Sequence, residues 1–277
     1  MTEEETKTAT VEEKAETIEA IESDPDFAVL EAMAKEGLIF GRRKRNSNPK
    51  MQKYVYTSRN GFEMFDLRLT KEKIEEAQKY VTGIVKTGQT ILLVGTDASA
   101  YTAIADMGEK YQFPYVVERW LGGTLTNFKT ITKRLNFYLK LKSDQEAGMF
   151  DKYTKKERTG LDKKIERLTR LFGGLENLKG LPALVVVVGA QAHQIAIQEA
   201  RKMKIPILAV ASTNTDPDLI DVLIPANDKS RSSVEFILKK IDEAIEAGIK
   251  ARQSVPAVKS AGAKPAGSKP VATKEDK

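Results

Sequence analysis

The run of residues 183–188 constrains the fold more than any other stretch of the chain. It reads Ala-Leu-Val-Val-Val-Val, so neither side of it offers a polar residue to water. A strand with one wet face alternates apolar and polar residues, whereas a continuous β-branched run is typical of a parallel sheet covered on both faces. Shorter apolar runs at 90–94, 113–117, 207–211 and 222–224 predict neighbouring strands.

Helical patterns separate these strands. The first, which we expect Thr70 to cap, has an apolar face made of Ile74, Ala77, Tyr80, Val81 and Ile84. Further helical patterns cover residues 98–111, 191–203 and 230–247. Strands that alternate with helices predict an α/β fold with a Rossmann-like (flavodoxin-like), doubly wound, mostly parallel sheet.

Two long helical patterns interrupt the alternation. They cover residues 127–142 and 155–172, and a polar linker joins them. Residues 127–180 hold 14 basic and 7 acidic side chains, and the apolar positions form only a thin stripe. A thin stripe on two adjacent helices fits a pair that packs mainly on itself. We therefore predict an inserted, protruding antiparallel helical hairpin.

Charge is distributed unevenly along the chain. Residues 1–26 carry a net charge of −8 and residues 251–277 carry +4, so the overall +6 leaves +10 on the rest. A body this basic indicates a polyanionic partner. The predicted organisation is an acidic disordered extension (1–26), the first part of the α/β domain (27–126), the hairpin (127–180), the second part of the domain (181–250) and a disordered basic tail (251–277).

Composition narrows the function classes. With no cysteine and one histidine, His193, the chain has neither disulfides nor a thiolate or histidine zinc cluster. No apolar run approaches the roughly 18 residues of a membrane-spanning helix. The acidic N-terminus does not resemble a secretory signal, so we expect a cytoplasmic protein.

A basic segment near the N-terminus is the first candidate binding site. Seven basic residues and no acidic ones lie between Gly41 and Phe62. Asparagine, serine and proline favour a loop over residues 41–53, and Ser-Arg-Asn-Gly at 58–61 predicts a β-hairpin turn. Like charges repel one another unless a partner neutralises them, so we favour a phosphate-binding loop over a merely solvated charge run.

The segment 118–131 is the second candidate. It contains the only tryptophan, Trp120, next to Arg119 and two adjacent glycines. We expect Thr126 to cap the basic helix that follows, and Trp120 to pack in the core at the base of the hairpin. Stacking of Trp120 on a base is the less favoured alternative.

An enzyme on the same fold would need a phosphate loop. Residues 83–90 match the glycine spacing of one, but Gln89 stands where the lysine is required, and the segment precedes a strand. Residues 95–99 lack the necessary glycines, and Asp97 would repel a phosphate, so we expect a capped helix start. The acidic stretch 216–221 could hold magnesium, but a turn capped by Asp216 is favoured. His193 has no visible nucleophile or acid partner and is interpreted as an ordinary helix residue.

Several ordered motifs resemble one family. They are Gly-Leu-Ile-Phe-Gly at 37–41, Asn-Pro-Lys-Met at 48–51, Arg-Asn-Gly at 59–61, the long segment 119–130, Gly-Leu-Pro at 180–182, Asp-Pro-Asp at 216–218 and Asn-Asp at 227–228. Together they resemble the bacterial small-subunit ribosomal protein S-two family over residues 27–247. The chain departs from the family pattern where histidines are common, since Ile39 and Arg42 stand there, so no metal site is expected.

The resemblance implies a structural constituent of the small ribosomal subunit with no catalytic role, cofactor, small-molecule substrate or membrane partner. It implies binding to small-subunit ribosomal RNA and to other small-subunit proteins, including the large mRNA-binding one. A free RNA-binding regulator is the other class that the charge pattern allows. The residues we expect to contact RNA are Arg42, Arg43, Lys44, Arg45, Asn48, Lys50, Lys53, Arg59, Arg119, Lys129, Lys133 and Arg134.

Overall fold

The structure of the chain, a computed structural model, describes residues 25–254. The predicted disorder of the two termini therefore lies largely outside the described residues. The elements in chain order are α1 (Pro25–Lys35), β1 (Phe40–Arg43), β2 (Val55–Arg59), β3 (Phe62–Phe65), α2 (Leu67–Lys86), β4 (Ile91–Val94), α3 (Tyr101–Tyr111), β5 (Tyr115–Val116), α4 (Phe128–Glu146), α5 (Lys155–Phe172), β6 (Leu184–Val188), α6 (Gln194–Lys202), β7 (Ile207–Ala211), β8 (Val222–Pro225) and α7 (Arg231–Ser254).

Two sheets organise the chain. Five parallel strands run in the order β5-β4-β6-β7-β8, and a smaller antiparallel sheet has the order β1-β3-β2. The chain moves from β4 to β5 on one side and then to β6, β7 and β8 on the other, so the winding direction reverses between β4 and β6. This arrangement confirms the predicted α/β class and fits a Rossmann-like fold.

Core packing explains the valine-rich run. All five residues of β6 are buried, and successive residues of β4 enter opposite layers. Ile91 and Leu93 pack with α2, α3 and α7, whereas Leu92 and Val94 pack with residues from α4, α5 and α6. The sheet is therefore covered on both faces, as the absence of polar residues predicts.

Helix α2 begins earlier than predicted. Its N-cap is Asp66, whose carboxylate accepts a hydrogen bond from the Arg68 backbone N–H at 2.9 Å. Thr70 is buried inside the helix, and its hydroxyl donates to the Pro225 carbonyl at 2.8 Å, which ties α2 to β8. Tyr80, predicted to face the core, is 37% exposed. The prediction of a Thr70 cap failed because spacing alone cannot distinguish a capping threonine from a buried one.

Two other boundaries also differ from the prediction. Residues 41–53, predicted to form a loop, include the end of β1, the 3₁₀ helix Lys44–Asn46 and all but the last residue of a second 3₁₀ helix, Pro49–Tyr54. The last helix continues to Ser254, so residues 251–254 do not belong to a disordered tail. None of the helices within the described range is long and apolar enough to cross a membrane.

Helices α4 and α5 contact each other. The Gln145 side-chain amide donates to the Asp162 carboxylate at 3.0 Å, and the Lys164 ammonium lies 4.8 Å from the centroid of the Phe137 ring. Thr154 and Glu157 form a capping box that starts α5. The buried residues of the two helices are Ile131, Leu135, Tyr138, Ile165 and Phe172.

Candidate nucleic-acid interface

The small sheet is attached to the carboxyl ends of β7 and β8. The Arg42 guanidinium lies 2.6 Å from the buried carboxylate of Asp228, and its backbone N–H donates to the Thr213 hydroxyl at 3.1 Å. A Cβ on Gly41 would lie 2.8 Å from the Thr213 methyl carbon, so only glycine permits this approach. Burial raises the pKa of the Asp228 carboxyl above its ordinary value, although Arg42 opposes that rise.

A second attachment involves Lys50. Its ammonium lies 3.0 Å from Asp216 and 2.6 Å from Asp218, and its backbone N–H donates to the Asn48 side chain. The hydrogen bonds to Asp218 and Asp216 raise the pKa of Lys50. Asp216 also caps the short helix Pro217–Leu219, as predicted for this turn. Three predicted RNA contacts, Arg42, Asn48 and Lys50, therefore already have partners within the protein, and a phosphate would compete with those partners.

The other basic residues of this region are differently placed. They are all exposed, and within residues 25–254 none of them forms an ion pair: Arg43, Lys44, Arg45, Lys53 and Arg59. Two of these charges lie over aromatic rings, Arg43 over Phe62 and Lys53 over Tyr54. Uncompensated cations on one surface attract a polyanion.

A groove brings part of this set together. Arg43, Lys44 and Arg45 line one side of it, and Asn60, Gly61 and Phe62 line the other, enclosing about 390 Å³. The Lys44 backbone N–H donates to the Gly61 carbonyl at 3.0 Å and so holds the two sides together. Asn60 and Gly61 have φ of 51° and 77°, which confirms the predicted hairpin turn.

Glu199 on α6, a residue that no sequence motif singles out, organises the second candidate segment. Its carboxylate accepts hydrogen bonds from the Trp120 indole at 3.1 Å and from the Gly123 backbone N–H at 2.8 Å. It also accepts from the backbone N–H groups of Leu125 and Thr126 and from the Thr126 hydroxyl. Burial raises the pKa of Glu199, but the hydrogen bonds outweigh burial and hold the pKa below its ordinary value. An isolated glutamate in a helical pattern gave no signal of this role.

The Glu199 contacts correct one prediction and agree with another. Thr126 does not cap α4, because its hydroxyl is engaged by Glu199 and the N-cap position belongs to Asn127. Trp120 is partly buried and packs against the core layer on that side of the sheet, as expected.

The predicted RNA contacts on and just before α4 lie away from the small sheet. Arg119 follows β5, whereas the small sheet docks at β7 and β8, so the two groups are at opposite ends of the sheet. With about 4.8 Å between neighbouring strands, β5 and β8 are roughly 19 Å apart. Lys129 and Lys133 are exposed one turn apart on α4. Arg134 lines a second groove with Phe137, Lys164 and Arg167.

His193 braces the ends of β4 and β6. Its Nε2 must accept the hydrogen bond from the Thr96 backbone N–H at 3.1 Å, because a backbone N–H can only donate. Its Nδ1 then donates to the Gly189 carbonyl at 2.9 Å. Burial lowers the pKa of His193 below its usual value, so the ring is neutral near pH 7. Both ring nitrogens are thus occupied by backbone or threonine groups.

The predicted capped helix start at residues 95–99 is wrong, because the N-cap position of α3 is Ala100 and makes no side-chain hydrogen bond. Asp97 forms an ion pair instead: its carboxylate lies 2.5 Å from the Lys229 ammonium, which links the end of β4 to the segment after β8.

These features define a doubly wound α/β protein whose carboxyl edge is occupied by its own side chains and whose unpaired cations lie beside that edge. Residues 33–248 match the family model described as Ribosomal protein S2. The small ribosomal subunit protein uS2 of Roseiflexus castenholzii is 40% identical over 228 residues, which cover 82% of this chain and 87% of that protein. The chain belongs to the ribosomal protein S2 family.

Proposed function

We propose that this protein is a structural constituent of the small ribosomal subunit in the cytoplasm, that it binds the ribosomal RNA of that subunit, and that it has no catalytic role. The observation that carries the proposal is family membership over most of the chain, together with a relative named as a small-subunit protein. The enclosed carboxyl edge agrees with this, because His193, Asp97 and Asp228 are all engaged in contacts within the chain.

The main RNA-binding surface in this proposal is the set of unpaired cations around the small sheet. Arg43, Lys44, Arg45, Lys53 and Arg59 contribute affinity that depends on salt and carries little sequence information. Arg119, Lys129, Lys133 and Arg134 form a second contact area at the other end of the sheet. Arg42, Asn48 and Lys50 act first as supports that hold the small sheet in position.

We further propose that residues 127–180 form a hairpin that stands off the α/β domain and reaches neighbouring components. Its exposed, mostly basic surface suits contacts with RNA and with other small-subunit proteins, including the large mRNA-binding one. The domain is then divided by this insertion into residues 27–126 and 181–250.

Cosedimentation of the tagged full-length chain with ribosomal subunits tests the proposal. We expect the wild type to sediment with the small subunit at low salt. The double variant Lys44→Glu, Arg45→Glu should shift toward the top of the gradient, whereas Lys79→Glu, Lys239→Glu, with the same charge change on exposed residues of α2 and α7, should not. Wild-type protein at the top at both low and high salt would contradict the ribosomal role. Recovery there with a bound RNA would indicate a free regulator instead.

A further inference from the structure

The outer face of the small sheet carries an aromatic ring between two arginines. The pairing of β1 with β3 puts Arg43 opposite Phe62, and the pairing of β2 with β3 puts Arg59 opposite the same residue. Residues directly opposite one another on neighbouring strands project from the same face. Arg43, Phe62 and Arg59 therefore form one row across all three strands.

This row faces away from the body of the protein. Glu63 and Phe65, which alternate with Phe62 along β3, are each 1% exposed, whereas Phe62 is 43% exposed. Phe40, in the neighbouring row, is also exposed. Large apolar groups that gather at a solvent-facing surface indicate an interaction site.

The groove described above shares Arg43 and Phe62 with this row. The Arg43 guanidinium lies 5.4 Å from the centroid of the Phe62 ring, which is within cation–π distance. The bond from the Lys44 N–H to the Gly61 carbonyl fixes the groove walls. An aromatic ring, two guanidinium planes and nearby unpaired lysine and arginine charges are the groups on which single-stranded nucleic acids stack and neutralise their phosphates.

We propose that the row Arg43–Phe62–Arg59 is a stacking platform for an unpaired base of RNA, with Lys44 and Arg45 contacting the adjoining phosphates. The proposal rests on the function proposed above, which supplies the RNA. It restricts the ligand to a loop, bulge or single strand, because the bases of a duplex are stacked on one another and cannot reach a protein ring. Asn60, at the groove wall, offers amide groups to the base edge.

An RNA base fits this surface better than a protein side chain. Protein interfaces concentrate their binding energy in well-packed pockets that exclude water around the anchor residue. Here the ring lines a groove that is open to solvent and flanked by cations, with exposed Thr57 and Arg59 on the neighbouring strand. A planar base can cover such a ring while its phosphates remain at the charged border.

Fluorescence of 2-aminopurine tests the proposal with the full-length chain. The probe is a short single-stranded oligouridine with one central 2-aminopurine, whose emission falls when the base stacks, and the same RNA annealed to its complement is the duplex comparison. We expect wild-type protein to quench the single strand only. Phe62→Leu should lose the quenching and bind the single strand roughly tenfold more weakly, with an unchanged salt dependence. Phe62→Tyr should retain the quenching.

Two controls separate this inference from the proposed function. Tyr80→Leu removes a comparably exposed ring from α2 and should behave as wild type. Lys44→Gln with Arg45→Gln should weaken binding and flatten its salt dependence but leave quenching at saturation.

The possible results are distinct. Full quenching by Phe62→Leu, while the Lys44 and Arg45 substitutions still weaken binding, would overturn the platform and leave the proposed function standing. If neither change affects RNA binding, this face has no part in the function. If Phe62→Leu keeps quenching the probe but loses binding to a polyglutamate peptide, the face is a protein-docking surface.

Discussion

At the scale of single residues, one buried carboxylate holds the segment that contains the only tryptophan of the sequence. Glu199 receives five hydrogen bonds from Trp120, Gly123, Leu125 and Thr126. Only an ionised carboxylate can accept all of these donors at once, because its two oxygens carry no hydrogen. The start of α4 therefore depends on the charge of a residue on α6.

Substitution of Glu199 tests this dependence. Glu199→Gln should lower the free energy of unfolding at pH 7 by about 2–4 kcal/mol, since the amide NH₂ group would face donors. The lowered pKa means that the stabilising effect is complete above the ordinary value of 4.5 and is lost as pH falls through the folded-state pKa. Urea unfolding should thus show the difference from wild type shrinking at acidic pH. Glu72→Gln, on the exposed side of α2, is the control, and an equal loss there would contradict the assignment.

Two nearby arginines should respond very differently to the same substitution. Arg42→Gln leaves the buried Asp228 carboxylate without its cation, and because Arg42 is 30% exposed, we expect a loss of about 2–3 kcal/mol rather than more. Arg45→Gln should change stability by no more than about 0.5 kcal/mol, because its side chain is exposed and unpaired. Chemical denaturation measures both. Comparable losses would mean that Arg42 is not a structural support.

At the scale of elements, the close crossing of α2 and α7 depends on a glycine. A Cβ on Gly248 would lie 2.8 Å from the Cβ of Val85 and 3.1 Å from the Thr82 carbonyl. A Cβ on Gly83, in the same helix pair, would meet nothing within 4 Å. Both glycines lie inside helices, but only Gly248 is in close contact with the neighbouring helix.

Alanine substitutions at these glycines should have opposite signs. Gly248→Ala should destabilise the protein by about 1–3 kcal/mol, because the helices must move apart. Gly83→Ala should stabilise it by about 0.5–1 kcal/mol through reduced backbone entropy of the unfolded chain. Thermal unfolding of both variants checks the pair, and a stabilising Gly248→Ala would show that the helices have room to adjust.

Elements were predictable where the signal is local. The β6 run and the Asn60–Gly61 turn were both located correctly, since burial on two faces and positive φ each restrict residue type directly. The sequence placed caps at Thr70 and Thr126 instead of Asp66 and Asn127 because threonine is equally suited to a cap and to a long-range hydrogen bond. The roles of Glu199 and Asp228 could not be predicted, since their partners lie more than 70 residues away along the chain.

At the scale of the whole molecule, burial decreases from the central strands of the large sheet to the connection between α4 and α5. Every residue of β6 and β7 is buried, whereas residues 151–160, which cover the end of the α4–α5 connection and the start of α5, are all exposed. Segments with few buried contacts open locally, and the central strands exchange only when the whole domain unfolds.

Hydrogen exchange followed by mass spectrometry should reveal this gradient. We expect peptides from residues 147–158 to exchange first within the described range, through local opening. Peptides from β6 and β7 should exchange last, at a rate that follows global stability in mild urea. Uniform exchange across both regions would contradict a graded structure. Gly83→Ala should slow only the exchange of peptides that require global unfolding, such as those from β6 and β7.

The attachment of the small sheet to β7 and β8 closes the carboxyl edge of the large sheet with side chains of the same chain. Arg42 and Lys50 fill positions at the carboxyl edge that related folds leave to dissolved ligands. Because these groups are covalently part of the chain, their local effective concentration is fixed by the connecting segments. Closure of the edge therefore requires no dissolved ligand, and the flanking arginines are positioned by contacts within the chain itself.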